Sequence, residues 1–450
     1  MNRLYEGNIR KNFFVYALPL VLTTLLSQAY SFINSAMAGY LIGDDAFAAI
    51  GCISPFSTFI SSMYWGYGTG FCVYVAILFG RGDYPKMLNV IKANLLISSL
   101  FIITISTLCI IFHETIYDFL NVEESLRAES FSYFWVHIAS LFLLNISASL
   151  VYIAHAVGLT KLPFISSCIS NLILIAGNYI LIKFAGLGVQ GTAIATVISN
   201  LFAMCFYTIM LIRSFKKLGV KIGGLYINKD ELKWSIHFAF PTMLQQSVMY
   251  LCTALVSPLT NLCGASAISG YTIGMRLYDL NAGVYQSSNK TVSNYIAQCI
   301  GAGKHSLIKE GIKTGILQTL LFLAPFLLIT VFGADFIPKL FLDSSESIYY
   351  AKIFMQFCMP FVLFNVINNM IHAIFRSTGA GQYLVISTVI YSLARFGFSY
   401  LLYGKYKMYG IYAAIVLSWV TEALFGLIIY FSGIWKDKEY KKAEIQNNHQ

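Results

Sequence analysis

Asp279 and Glu422 are the only acids well away from the ends of the long apolar runs of this chain, and an ionisable group held in hydrocarbon is costly unless it pairs, binds or moves a charge. Three bases are set comparably deep: Arg276, Lys290 and Arg395. Arg276 precedes Asp279 by three residues and so shares its helical face, while Lys290 follows three turns later on a similar face. Asp279 therefore reads either as a structural ion pair or as a coupling or substrate group. Glu422 has no base on its own run. It either meets a partner on another helix, with Arg395 the candidate, or is held as the neutral acid in a coupling or substrate role. Counted from the helix ends, the two acids lie on the order of 18 Å and 21 Å deep, near the midplane. Bases outnumber acids here, and a cavity lined by all three would suit anions. Gln28, Gln245, Gln246, Asn368 and Asn369 offer further hydrogen bonds to a ligand, although bonding between helices is the commoner use in lipid.

The elements that must position these residues are membrane helices. Mean hydropathy is +0.68, hydrophobic residues make up 57% and charged residues only 11% of 450, against about 25% charge in soluble domains. Runs such as 95–112 and 317–332 are apolar on every face, which excludes the period-two alternation of a membrane barrel. About twelve runs are long enough to cross a ~30 Å core: 12–37, 46–79, 90–112, 131–157, 162–182 and 189–212, then 234–262, 267–299, 307–333, 347–376, 380–402 and 409–434. With an even number of spans both termini share one side, and placing them in the cytoplasm leaves 21 of the 30 Lys and Arg residues on inner loops and tails, as the positive-inside rule asks. The N-terminal stub carries no cleavage signature and is expected to stay on the mature protein. Net charge +10 is dispersed over these loops, so it reads as anchoring to anionic lipid and excludes a nucleic-acid stripe.

The chain also repeats itself. Gly43 returns as Gly264, Gly80 and Gly82 as Gly301 and Gly303, Gly158 as Gly379, Tyr64 as Tyr285 and Tyr74 as Tyr295, all 221 residues apart, and Pro19 returns as Pro241 with a slip of one. The fold class is therefore an all-α polytopic membrane protein: about twelve transmembrane helices in two six-helix lobes, related by a pseudo-two-fold axis along the membrane normal. Residues 1–212 form the first lobe, 213–233 a cytoplasmic linker, 234–435 the second lobe and 436–450 a polar tail. Duplicated bundles commonly serve transport, with the working site where the repeats face each other. Nine cysteines lie on apolar spans without CxxC or His/Cys spacing and read as small core residues. HExxH, GxxxxGK[ST] and GxSxG are absent. Pro19, Pro241, Pro325 and Pro360 permit kinks.

Residues 27–43, Ser-Gln-Ala-Tyr-Ser-Phe-Ile-Asn-Ser-Ala-Met-Ala-Gly-Tyr-Leu-Ile-Gly, resemble the first-helix signature of the multidrug and toxic compound extrusion (MATE) family. Ala297-Gln-Cys-Ile-Gly-Ala-Gly-Lys304 is similar to that family's eighth-helix ending, 188–196 to its sixth-helix entry and 375–379 to its tenth-helix exit. The resemblance covers essentially the whole chain. It implies a V-shaped pair of lobes exporting organic, often cationic compounds by alternating access, against inward flow of H⁺ or Na⁺, with no cofactor, as a monomer in the cell membrane. Where the family usually carries coupling carboxylates, this chain has Asn34, Asn178 and Asn365, and the helix-seven acid of some members falls near Met249. Asparagine cannot exchange a proton but can offer oxygen to Na⁺. A flippase for lipid-linked saccharides in the same superfamily is the alternative. A membrane enzyme using Glu422 or Asp279 with His137, His155 or His372 is a remote one.

Overall fold

Without water to receive backbone N–H and C=O groups, a chain of apolar runs satisfies them inside helices, and the described residues are helical almost throughout with no strand among them. The structure is a computed structural model that describes residues 3–42, 44–119, 124–219, 224 and 228–436; side chains are described except at 31–32, 34–42, 44–53, 55, 119, 125–126, 128–129 and 189. Its helices are α1 (Ile9–Ile42), α2 (Asp44–Arg81), α3 (Tyr84–Ile111), the short α4 (His113–Phe119), α5 (Glu124–Ala156), α6 (Lys161–Tyr179), α7 (Gly188–Lys217), α8 (Lys229–Asn261), α9 (Ala265–Gly301), α10 (Ile308–Phe332), α11 (Ser345–Cys358), α12 (Val362–Ser377) and α13 (Gly381–Ser432). Eight helical stretches among the described residues are long and apolar enough to cross a membrane, and each of the twelve expected spans falls on one of these helices. α11 and α12 make one span broken by a 3₁₀ turn at Met359–Phe361, where Pro360 sits.

α13 is two spans. Lys407 has φ 49° and ψ −125°, and the carbonyl of Leu402 lies only 2.6 Å from where a Cβ would stand on Gly410. A straight helix would separate those residues by about 12 Å. The chain therefore folds back at Lys407, and only glycine fits at 410.

The repeated glycines have a common cause. Gly82 and Gly303 have φ of 82° and 70°, Gly158 and Gly379 have 78° and 76°, so both repeats turn between helices at left-handed positions that favour glycine. Asp83 then caps α3 through the Lys86 amide.

Two compact units result, and they do not follow the repeat boundary. Unit 1 contains residues 1–3 and Leu22–Met243; unit 2 contains Leu4–Val21 and Leu244–Gln450. The first parts of α1 and α8 each pack into the unit built by the other repeat, and each crossing falls two or three residues after the paired prolines Pro19 and Pro241. In unit 1 the receiving surface is backbone: Cβ atoms on Gly66 and Gly70 of α2 would stand 2.6 Å from Met243 Cα and 2.5 Å from the Phe238 carbonyl. In unit 2 it is side chains: Phe13 meets Tyr295 edge to face at 4.9 Å, Asn294 donates to the Tyr16 hydroxyl at 2.8 Å and Gln318 to the Phe13 carbonyl at 3.0 Å.

Candidate functional site

α12 concentrates polarity on one face. Asn365, Asn368, Asn369, His372 and Arg376 recur at spacings of three and four, which places them along one helical stripe. Asn365, Asn368, His372 and Arg376 are buried, so that stripe faces protein rather than lipid, as intramembrane polar groups must.

Glu422, on the second arm of α13, is 5% exposed and meets this stripe. The Asn368 amide donates to its Oε2 at 2.9 Å and also to the Trp419 carbonyl at 3.1 Å. His372 Nε2 lies 3.2 Å from Oε1, close enough for an ion pair although it is not aligned as a hydrogen bond. The expected partner Arg395 is elsewhere. Folding back at Lys407 brings its guanidinium to the Ile411 carbonyl, eleven residues and so about 16 Å of helix from Glu422. His372, offered by the sequence only for the remote enzyme reading, is the group beside the acid.

A second strand of the network runs through α9. Asn365 donates to the Tyr278 hydroxyl at 3.3 Å, and Tyr278 and Tyr285 share a hydrogen bond of 2.8 Å. The Tyr278 ring stacks on Trp419, 5.3 Å between centroids. Asn289 and Asn369 extend the network, Asn289 donating to Asn369 Oδ1 at 3.1 Å. Asp279, next to Tyr278, is partly buried, with Arg276 as its principal charged neighbour; its charge also acts on Tyr250. Lys290 interacts with a second cation, Arg376, and not with Asp279: three turns of helix separate them, and α12 supplies the nearer charge.

Unit 2 therefore gathers Asn365, Glu422 and, through Tyr278, Asp279. Asn178 is buried in unit 1, the Asn34 side chain lies outside the described residues, and Gln28 and Gln246 are half-buried in units 1 and 2 respectively. Inspection of single spans missed Tyr278 and Trp419 and named His372 only for the remote enzyme reading; the three-and-four spacing on α12 was the signal that could have set it on one face with Asn365 and Asn368.

With this geometry in place, comparison with known proteins is informative. The MatE family model matches residues 19–180 and again 239–401, so the family pattern itself occurs twice at the spacing of the repeat. The multidrug export protein MepA of Staphylococcus haemolyticus is 22% identical over 430 residues, 95% of this chain and 94% of its own length. A protein of Shewanella oneidensis named FAD transporter is 26% identical over 63% of this chain and 64% of its own. A crystal structure of the Vibrio cholerae MATE transporter VcmN superposes with a TM-score of 0.89 at 17% identity, covering 96% of this chain and 98% of that one; the shared fold has twelve transmembrane helices in two lobes.

Proposed function

The chain belongs to the MatE family of membrane transporters, and from that premise we propose that it is a secondary active exporter of small organic compounds, driven by protons through Glu422 and His372. Membership sets aside the membrane-enzyme reading. The relative named as a multidrug export protein spans nearly the whole chain and supports export in preference to saccharide flipping.

The observation that carries the coupling ion is the buried pair itself. A carboxyl 3.2 Å from an imidazole, with Asn368 donating to its other oxygen, can hold a proton between two titratable groups, and His is the side chain whose charge changes in the physiological range. Asn368 also holds the Trp419 carbonyl, so rearrangement at Glu422 is communicated to the Tyr278 and Trp419 rings. Those stacked faces, with Asp279 beside them, suit a flat organic cation, because ring faces attract positive charge. One proton moving inward down 100 mV supplies about 2.3 kcal/mol toward export of a solute without net charge, whereas exchange for a monovalent cation moves no net charge and draws on the pH gradient alone. The exporter acts as a monomer in the cell membrane with both termini cytoplasmic, and needs no cofactor beyond the transported ion.

The test is export of ethidium from proteoliposomes under separately imposed pH and Na⁺ gradients. The pH gradient is expected to drive export, Glu422→Gln to lower the gradient-driven rate at least tenfold, and His372→Gln to shift its pH profile. Export driven by Na⁺ alone and undisturbed by Glu422→Gln would overturn the assignment.

A further inference from the structure

Arg395 is, with Arg376, one of two buried arginines of unit 2 that the coupling pair leaves unused. It is 8% exposed and surrounded by four helices: Cys252 of α8, Tyr271 of α9, Cys358 of α11 and Tyr391 on its own arm of α13 all interact with its charge. The packing around it is close, since the Cys252 thiol donates to the Ser392 carbonyl at 3.5 Å and Tyr271 stacks on Tyr412 at 6.3 Å. Yet the guanidinium, with five donors, makes one long bond of 3.5 Å to the Ile411 carbonyl and otherwise reaches the Tyr271 hydroxyl. Among the described residues no carboxylate pairs with it. A buried cation without a counter-charge is destabilising by several kcal/mol, so the fold retains Arg395 at a cost that packing does not explain.

Ser392 and Ser399 stand three residues before and four residues after Arg395, on the same helical face. Both hydroxyl oxygens are buried; that of Ser399 has no hydrogen-bond partner, and that of Ser392 has only the weak Cys252 thiol within reach. A guanidinium fork flanked by two hydroxyls is the donor set that recognises a carboxylate or phosphate, through bonds roughly twice as strong as neutral ones. The neighbourhood is also polarised in a useful sense: Tyr271 feels both Arg395 and Asp279, so one unit presents a cationic and an anionic pole around shared aromatic rings.

We propose that unit 2 contains a binding site for an anionic group of the exported compound, a carboxylate or phosphate, with Arg395 as its charge and Ser392 and Ser399 as flanking donors. This deepens the export reading and rests on it: the compounds moved include zwitterionic or acidic amphiphiles besides cations. The site lies about 9 to 14 Å from the helix ends at Ala265 and Asn261, counting from Tyr271 and Cys252, a depth that a solute or the headgroup of a lipid in that leaflet can reach.

Equilibrium binding to the purified full-length protein in neutral detergent, read by fluorescence polarisation, separates this proposal from the transport assay, because binding requires no gradient. Carboxyfluorescein, an anionic dye, is expected to bind wild type, and Arg395→Met to weaken it at least tenfold while ethidium binding stays within twofold. The double variant Ser392→Ala with Ser399→Ala is expected to weaken the anionic dye about threefold. If Arg395→Met does not fold, Arg395→Lys decides, since losing the fork should weaken binding at least threefold. Unchanged affinity in the folded Arg395 variant overturns the site. Displacement of the dye by phosphatidylglycerol but not by phosphatidylcholine overturns the solute in favour of a lipid headgroup, whereas indifference to both supports it. Absence of gradient-driven export by the wild type with intact dye binding would sink the coupling assignment and leave this site standing.

Discussion

Units 1 and 2 descend from the same repeat, yet they fill equivalent positions with different chemistry. Ser147 of α5 corresponds to Asn368 of α12, and Asn200 or Leu201 of α7 to Glu422 of α13, depending on the one-residue slip. In unit 1 the Ser147 hydroxyl donates to the Asn200 carbonyl at 3.0 Å; in unit 2 the same pair of helices carries Asn368, Glu422 and His372. His372 corresponds to Val151, Asp279 to Thr58 and Arg395 to Leu174. Among the described side chains, the interior of unit 1 is held by hydroxyls and amides, such as Tyr67 donating to Asn94 at 2.8 Å and Asn145 to Ser98 at 3.1 Å. At these equivalent positions unit 1 thus keeps neutral bonds of the kind that hold helices together in lipid, where unit 2 carries Glu422 and His372, although unit 1 buries a histidine of its own, His155.

Their entering helices differ too, and this gives the largest expected effect. α8 approaches the α2 backbone over Gly66 and Gly70, where no side chain can yield; α1 enters unit 2 over side chains that can. Gly70→Leu is therefore expected to destabilise by about 3 kcal/mol or more, because overpacking against backbone cannot relax, and to appear as loss of monodisperse protein in size-exclusion chromatography. Gln318→Leu, which removes one bond to the Phe13 carbonyl, should cost about 1 kcal/mol. Equal losses in the two variants would break the contrast.

The second test compares equivalent interior bonds. Asn368→Leu strips Glu422 of its amide donor and should lower stability by about 1–3 kcal/mol, the cost of a buried polar group left unmet, with export falling alongside. Ser147→Ala in unit 1 should cost about 0.5–1 kcal/mol and leave the pH dependence of export unchanged. Thermal unfolding in detergent measures both, and a pH profile altered by Ser147→Ala would show that unit 1 also carries charge movement.

The smallest effect is expected at the rim. Arg127 meets Asp118 at 2.6 Å and Glu114 at 3.1 Å, and the Asp118 bond above all holds its guanidinium protonated, above its ordinary value. These side chains stand in solvent and are screened by salt. Arg127→Ala should leave the unfolding midpoint unchanged in 0.5 M salt and shift it only slightly in dilute buffer. A large, salt-independent loss would make this cluster part of the scaffold rather than its surface.

Helix positions, span count and the duplication were legible because each is local. Apolar runs of a given length must be helices in lipid, and turn glycines such as Gly82 and Gly303 recur because their backbone conformation excludes other residues. Glu422 and Asp279 stood out because an acid inside such a run is rare. Glu422's partner was not legible. Arg395 shares α13 with it and was the natural choice, but the fold-back at Lys407 sets the two about 16 Å apart along the arm, and His372, fifty residues earlier, takes the place.

Composition, periodicity and repetition by themselves determined that this is a duplicated bundle of membrane helices with two acids set deep in the apolar runs of its second half, since hydropathy and turn chemistry act over a few residues and need no neighbour to be read. The exchange of α1 and α8 between the units, the meeting of Glu422 with His372 and Asn368, and the isolation of Arg395 among tyrosines and serines were decided only by tertiary structure. Each depends on which face of one helix meets which face of another, and that is fixed by packing between residues dozens to hundreds of positions apart.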